Sequence, residues 1–465
     1  MLLSWDQETL LPPLGAPIRG EQLELLSHLT HSLATSPRLK TLLETQDESL
    51  LNETEKVIVR ELRIDFANQD KLPSSFVKKE AKLFSEAVHV WKEKTFTSFA
   101  PYLKKIFEAA REKAEFLGYT EHPYDALLHL HETGMTTKKL SLIFDDLKPF
   151  LIDLVKKRGT LKTDTSCLYG TFPEKDQLAL SKEVLTLMGI DFKRGRLDLS
   201  VHPFCSGIHP TDLRLTSHVN EACFIQNLSA TLHEGGHGLY EQNLPESFFG
   251  TPLGQACSYG IHESQSRLYE TFIGLSKPFN QFLFPRLQQK FPSLVHTSFE
   301  TYFAALNRVA PSLIRIFADE VTYCLHIILR FELEVALIEG SLTVENLPHA
   351  WNQKMEEMLG VIPPSDDQGC LQDIHWSLGL IGYFPTYALG NIYAAELYEN
   401  IGTVHPDRDE RLKKGDLSFL TLYLNEHIYQ WGKRYLPEEL IERCTKSPLS
   451  ATAYKNYLKR KYAQV

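Results

Sequence analysis

The stretch ATLHEGGHGLYEQ, residues 230–242, sets two histidines four positions apart, His233 and His237, with Glu234 beside the first and Gly235 and Gly236 between them. Positions i and i+4 of an α-helix project from one face, one turn apart. A helix here therefore offers two imidazole nitrogens to one metal ion, with Glu234 on the side where an activated water would sit. The chemistry needs both residue types. Neutral imidazoles hold zinc without cancelling its charge, and the remaining charge draws the pKa of water toward ~7. A carboxylate nearby takes the proton and passes it to a leaving amine. The glycines oppose helix formation, at roughly 1 kcal/mol each relative to alanine. Their presence implies that side chains at 235 and 236 would crowd the metal or a neighbouring element, so bare backbone allows close approach.

Alone, H-E-x-x-H also describes an amphipathic helix with two partly buried histidines, so a third ligand has to be found. Gln242 and Asn243 stand where a third histidine would follow in one class of zinc proteases. A glutamate from a following helix is the other common choice, and Glu241, Glu246, Glu263 and Glu270 are the candidates. Glu241 lies one turn beyond His237 on the same helix, a poor place from which to reach the same ion. Glu246 sits in the LPESFFG connection. Glu263, in SYGIHESQSRLYE, follows a loop with Gly250, Pro252 and Gly254 that can turn a second helix back against the first. Glu263 is the choice. His262 is its rival, but adjacent helical residues diverge by about 100°, so His262 is expected to pack or donate a hydrogen bond.

Composition bounds the rest. The chain has 465 residues, 43% hydrophobic and 23% charged, and a net charge of -10. That balance, with no Lys/Arg stripe, speaks against a nucleic-acid partner. Cys167, Cys205, Cys223, Cys257, Cys324, Cys370 and Cys444 are scattered and form no C-x-x-C pair. We expect reduced thiols in a cytoplasm rather than a disulfide framework. MLLSWDQETLLPP has no basic start and carries Asp6 and Glu8 too early for a signal peptide. The most apolar run, VTYCLHIILRFELEVALIEG, is broken by His326, Arg330, Glu332 and Glu334, so no membrane span is expected.

Apolar residues recurring every three or four positions predict helices over 53–69, 77–117, 137–157, 175–189, 221–243, 257–274, 279–290, 298–340, 344–358, 387–400, 409–432 and 437–444. Strand signals are few: 196–204, where Leu197, Leu199 and Val201 alternate with polar residues, and 212–219. Joined through GIHPT, these two would form a hairpin. The expected fold class is all-α with a small β element near residues 196–219, one mostly helical unit over 1–465 divided into two lobes by a cleft.

Further motifs carry a resemblance. SWDQETLLPP (4–13), HPF (202–204), DLRLT (212–216), HEGGH (233–237), HESQS (262–266), IRIFAD (314–319), GCLQDIHW (369–376) and GYFPTYALG (382–390) occur in this order. Together the sequence resembles the carboxypeptidase Taq family of zinc metallocarboxypeptidases, nearly end to end. That family usually has Met in place of Leu11 and further sequence before the SWDQE region, which here starts at residue 4.

The resemblance implies an elongated helical fold with a deep active-site groove, a homodimer, and release of single C-terminal residues from peptides with a free C-terminus, with broad specificity. It makes His233, His237 and Glu263 the ligands of Zn2+, for which Co2+ can substitute in an N/N/O site, and Glu234 the general base. It makes Arg315 the anchor of the substrate's terminal carboxylate, which a planar guanidinium can hold with two parallel hydrogen bonds. The competing reading of Arg315 is an ion pair with Asp319 one turn on in the same helix.

His375 and either Tyr383 or Tyr387 are candidates to hydrogen-bond the tetrahedral oxyanion. Core packing is the alternative for each. His202, Asp212 and Arg214 line the cleft if the strands there accept an extended peptide. In a purely structural hairpin, Asp212 and Arg214 support each other instead. Two other functions fit the same residues: an oligopeptidase or dipeptidase cutting other bonds, and an inactive peptide-binding scaffold. The intact Glu234 and ligand set speak against the scaffold.

Overall fold

A computed structural model describes residues 1–463 of the chain. Many of the periodic segments fold close to the expected spans, including Glu53–Asp70, Thr137–Arg158, Glu174–Met188, Lys277–Lys290 and Pro385–Val404. Local chemistry sets their ends. At Asn52 the side chain accepts from the Thr54 and Glu55 amides while the Glu55 carboxylate returns to the Asn52 amide, a complete capping box.

Three of the long helices expected from periodicity are broken. The 77–117 segment is two helices, Ser74–Trp91 and Phe96–Leu117, parted at Lys94, whose φ of 54° lies in the left-handed region. Lys94 is held there with its ammonium 3.1 Å from the Trp91 ring centre. The 298–340 segment is Phe299–Leu306 and Tyr323–Glu339. Between them Pro311 disfavours helix at residue 310, and the Asp319 carboxylate accepts from the Ala310, Val321 and Thr322 amides at 2.9–3.0 Å, fixing an open turn. The 409–432 segment is Arg408–Lys413 and Ser418–His427, parted at Gly415 with φ 74°.

Five helices had no clear signal: Leu2–Thr9, Ala16–Ala34, Pro37–Thr45, Pro123–His129 and Thr452–Ala463. In Ala16–Ala34 the leucines do not mark a buried face; Leu33 is 71% exposed. Among the described residues no helix is long and apolar enough to cross a membrane.

The fold is mainly helical with one three-stranded sheet: β1 (Gly195–Leu199), β2 (Cys205–His209) and β3 (Asp212–Ser217), in the order β1-β3-β2. The expected hairpin between 196–204 and 212–219 does not form. β1 pairs with β3 in parallel, Leu197 opposite Leu215, and the antiparallel partner of β3 is β2, Cys205 opposite Leu215. The residues assigned to the connection, Ile208 and His209, belong to β2. Strand β2 lacks period-two alternation because all five of its residues are half-buried, which hid it from the pattern.

The glycines of the histidine helix, Phe224–Asn243, explain how the rest is arranged around it. A Cβ on Gly235 would stand 2.7 Å from Leu185 and Met188 of helix Glu174–Met188. On Gly236 it would meet backbone, 2.4 Å from the Gln265 carbonyl oxygen and 2.7 Å from Ser266 Cα. On Gly238 it would stand 2.9 Å from Leu213 of β3. The glycines therefore admit neighbouring elements on three sides. Gly390, in helix Pro385–Val404, does the same from the opposite side of helix Tyr259–Arg267, where a Cβ would lie 2.4 Å from Glu263 Cγ.

Gly236→Ala is expected to destabilise the fold by roughly 1–3 kcal/mol through overpacking, lowering the melting temperature in calorimetry. Gly20→Ala is the control: no atom lies within 4 Å of its Cβ, so the same change there is expected to be neutral or stabilising. Equal melting temperatures for the two variants would contradict this account.

Candidate metal centre

His233 and His237 rise one turn apart from the histidine helix, and Glu263 faces them from helix Tyr259–Arg267. Glu263 Oε2 lies 3.7 Å from His233 Nε2 and 3.5 Å from His237 Nε2. These separations are long for hydrogen bonds. They suit a shared ion, because two donors each ~2.1 Å from a tetrahedral centre stand roughly 3.4 Å apart. His237 Nδ1 and Glu263 Oε1 are buried without a partner. Among the described residues this is the one group of His, Cys, Asp or Glu with ligand atoms close enough to hold a metal, all within 4.8 Å of one another. The residues present thus fit a divalent cation.

The donors are held from behind. His233 Nδ1 donates to Glu270 Oε2 at 2.8 Å, which leaves Nε2 with its lone pair facing the centre. Glu270 is fixed in turn by Ser229 Oγ at 2.7 Å and Arg267 Nη1 at 2.7 Å. Glu270 lies in a π-helical stretch, Leu268–Ile273, that continues the Glu263 helix. His237 stacks on His262 with ring centres 4.4 Å apart, and His262 Nε2 is bonded to Glu241 at 2.8 Å. His262, the rival ligand, therefore packs, and Glu241, another of the glutamates weighed as third ligand, serves as its partner.

Charge favours a cation here. Burial alone would lower the His233 pKa, but the Glu263 and Glu270 carboxylates outweigh it and raise it. Burial alone would raise the Glu270 carboxyl, but Arg267 and His233 hold it well below the usual range. Glu234 is also buried, and burial together with the Glu263 and Glu270 carboxylates pushes its pKa up to about 7.

A second cluster lies along helices Tyr323–Glu339 and Pro385–Val404. Arg315, 6% exposed, sits in a short turn, Arg315–Phe317, rather than a helix, and does not pair with Asp319. Its Nε and Nη2 reach Asp373 Oδ1 at 3.1 and 2.8 Å, and Nη1 donates to the Tyr323 hydroxyl at 3.2 Å. Arg330 takes the other oxygen of Asp373 at 2.8 Å. Two guanidiniums share one carboxylate, which leaves a buried formal positive charge.

His375 Nε2 lies 3.1 Å from the Tyr387 hydroxyl, and its Nδ1 is buried without a partner. Burial lowers the His375 pKa to about 4, so the ring is neutral near pH 7. Tyr383 packs against both, its ring centre 5.5 Å from His375 and 5.4 Å from Tyr387. Burial foremost, then the Glu263 charge, raises the Tyr383 hydroxyl pKa. The three residues expected at the cleft wall lie in the sheet region, Asp212 and Arg214 on β3. His202 is exposed in the β1–β2 connection. Asp212 and Arg214 are fork-bonded to each other at 2.5 and 3.1 Å, with the Arg214 guanidinium 4.6 Å from the Trp5 ring centre.

The family model for the carboxypeptidase Taq (M32) metallopeptidases matches residues 1–462. The chain belongs to this family. Carboxypeptidase 1 of Bacillus subtilis (strain 168) is 38% identical over 473 residues, covering 100% of this chain and 94% of that protein. Thermostable carboxypeptidase 1 of Thermus thermophilus is 39% identical over 483 residues, covering 99% and 94%. The M32 carboxypeptidase structure from Deinococcus radiodurans R1 superposes with a TM-score of 0.96 at 36% identity, over 100% of this chain and 95% of that one. Carboxypeptidase Taq proteins are metallocarboxypeptidases, and so peptide hydrolases.

In this carboxypeptidase Taq chain several supporting residues escaped the sequence reading. Glu270 was weighed only as a ligand, yet it lies two turns beyond Glu263, a spacing that already puts both on one helix face. Asp373 and Arg330 had no local signal, since they pair across 43 residues, while Arg267 and Tyr323, three and eight residues from Glu270 and Arg315, were not weighed. Glu270→Gln is expected to weaken metal binding about 10- to 100-fold with the three donors intact. Titration with Zn2+ against a competing chelator checks this; unchanged affinity would show that Glu270 does not orient His233.

Proposed function

We propose that this chain is a metal-dependent carboxypeptidase that removes single residues from the C-terminal end of peptides, with broad specificity. Zn2+ is the proposed ion and Co2+ a working substitute. The observation that carries the proposal is the spacing of His233, His237 and Glu263 around one point, with Glu234 buried beside it. When bound, the divalent ion supplies Lewis acidity at the scissile carbonyl and makes water acidic enough to attack near neutral pH.

The chain's own residues do the rest. Glu234, with a pKa pushed up to about 7, suits a group that takes a proton from water and returns it to the leaving amine. Arg315 keeps two of its five N–H groups outside the bonds to Asp373 and Tyr323, and the charge shared with Arg330 favours a terminal carboxylate. His375, with Tyr383 or Tyr387, is assigned to the developing oxyanion. Strand β2 lies at a sheet edge and packs Gly207 against Glu241 of the histidine helix. An extended peptide is proposed to pair there, with His202, Asp212 and Arg214 flanking it. The family resemblance supports a homodimer, and the seven free, scattered cysteines support a cytoplasmic setting.

An oligopeptidase would share the metal group, but the buried positive charge at Arg315 favours substrates that end at the site. Mass spectrometry of an incubated peptide is expected to show a ladder of single-residue losses from the C-terminus; internal fragments would overturn the assignment. A chelator is expected to abolish turnover, and Zn2+ or Co2+ to restore it. Glu234→Gln is expected to keep its metal, measured by elemental analysis, and lose about 10²- to 10⁴-fold in kcat. Near-normal turnover in that variant would remove Glu234 from the mechanism.

A further inference from the structure

Glu320 follows the IRIFAD turn directly and is 4% exposed. Four side chains of helix Thr452–Ala463 converge on it. Tyr457 donates to Oε2 at 2.9 Å, Tyr462 donates to Oε1 at 2.6 Å, Lys461 forms an ion pair with Oε1, and the Tyr454 hydroxyl donates to the Glu320 carbonyl at 2.5 Å. On the other side of Glu320 the turn runs through Asp319 to Arg315, and Tyr323, whose hydroxyl accepts from Arg315, follows three residues later. The turn has one 3-10 turn of its own, Phe317 N–H to the Ile314 carbonyl and Ala318 N–H to the Arg315 carbonyl, and the Arg315 amide donates to Gln372 at 2.9 Å. Its far end is fixed by the Asp319 cap inside and by Glu320 outside.

We propose that Glu320 is a positioning residue for the substrate's terminal carboxylate: it ties the Arg315 turn to helix Thr452–Ala463, and this tie holds the guanidinium where the carboxylate arrives. The proposal rests on Arg315 being the carboxylate anchor. Buried hydroxyl donors on a carboxylate are strong, directional ties, and a small misplacement of an anchoring group is felt as weaker binding of the group it anchors. The chemistry at Glu234 does not pass through this contact. The effect of loosening it therefore falls on KM for substrates with a free carboxylate.

The test is the double variant Tyr457→Phe, Tyr462→Phe, which removes two hydroxyls and keeps both rings. Kinetics are measured on two peptides that differ only in a free or an amidated C-terminus. KM for the free acid is expected to rise about tenfold with kcat within about twofold, metal content is expected to be unchanged, and the preference for the free acid over the amide is expected to shrink. Glu320→Gln is expected to act in the same direction and more strongly; if it does not fold, the double variant decides. A double variant that keeps the wild-type preference, or loses activity on both peptides equally, overturns the proposal. Arg315→Ala is run beside it. If Arg315→Ala abolishes the preference and the phenylalanine variant does not, the Glu320 tie alone is wrong. If Arg315→Ala keeps the preference, the anchor assignment fails and the tie's proposed role falls with it.

Discussion

Glu263 is gripped between two helices that approach its own helix at backbone distance. Gly236 admits Gln265 and Ser266 from one side, and Gly390 admits Glu263 from the other. A carboxylate on a four-bond side chain is otherwise a mobile ligand. Here packing replaces side-chain freedom, so the oxygen is held ready opposite two imidazoles. Interiors are packed as densely as organic crystals, and a methyl group added at either glycine has nowhere to go without moving Glu263 or its backbone. The helix propensity lost at Gly235, Gly236 and Gly238 is thus offset by the precision with which three elements meet.

Burying Glu234, Glu263 and Glu270 together would be prohibitive without positive charge nearby. Arg267 supplies one charge, and its guanidinium also lies 4.5 Å from the Tyr323 ring centre, so it joins the metal group to the Arg315 cluster. The remaining negative charge is what draws a proton to His233 or, equally, a dication to the centre. The same logic runs in reverse at Arg315, Arg330 and Asp373, where positive charge is left over. Two buried sites of opposite demand, joined by Arg267 and Tyr323, suit the proposed cleavage at the end of a peptide chain.

Legibility followed the range of the interactions. The two histidines and Glu234 could be read because helical spacing is local, and Glu263 because a glycine-rich loop returns the chain. The breaks at Lys94 and around Asp319 could not, because each is set by contacts that override periodicity: an ammonium on Trp91, and a carboxylate gathering three amides. The sheet order was hidden for the same reason. Strand β2 earns its place by packing Gly207 against Glu241, not by a pattern of its own. Arg315 shows the limit most clearly. Its nearest acidic neighbour in sequence is Asp319, yet its partner is Asp373, 58 residues away.

The tie at Glu320 also has a bearing on the order of synthesis. Its partners are made late: Tyr454 comes 134 residues after Glu320, and Tyr462 comes 142 residues after it. A nascent chain emerging from the ribosome has its histidine helix and its Arg315 turn long before the segment that steadies the turn. On the role proposed for Glu320, the grip on a terminal carboxylate is complete only once Tyr454, Tyr457 and Tyr462 have followed, well after the turn itself is made.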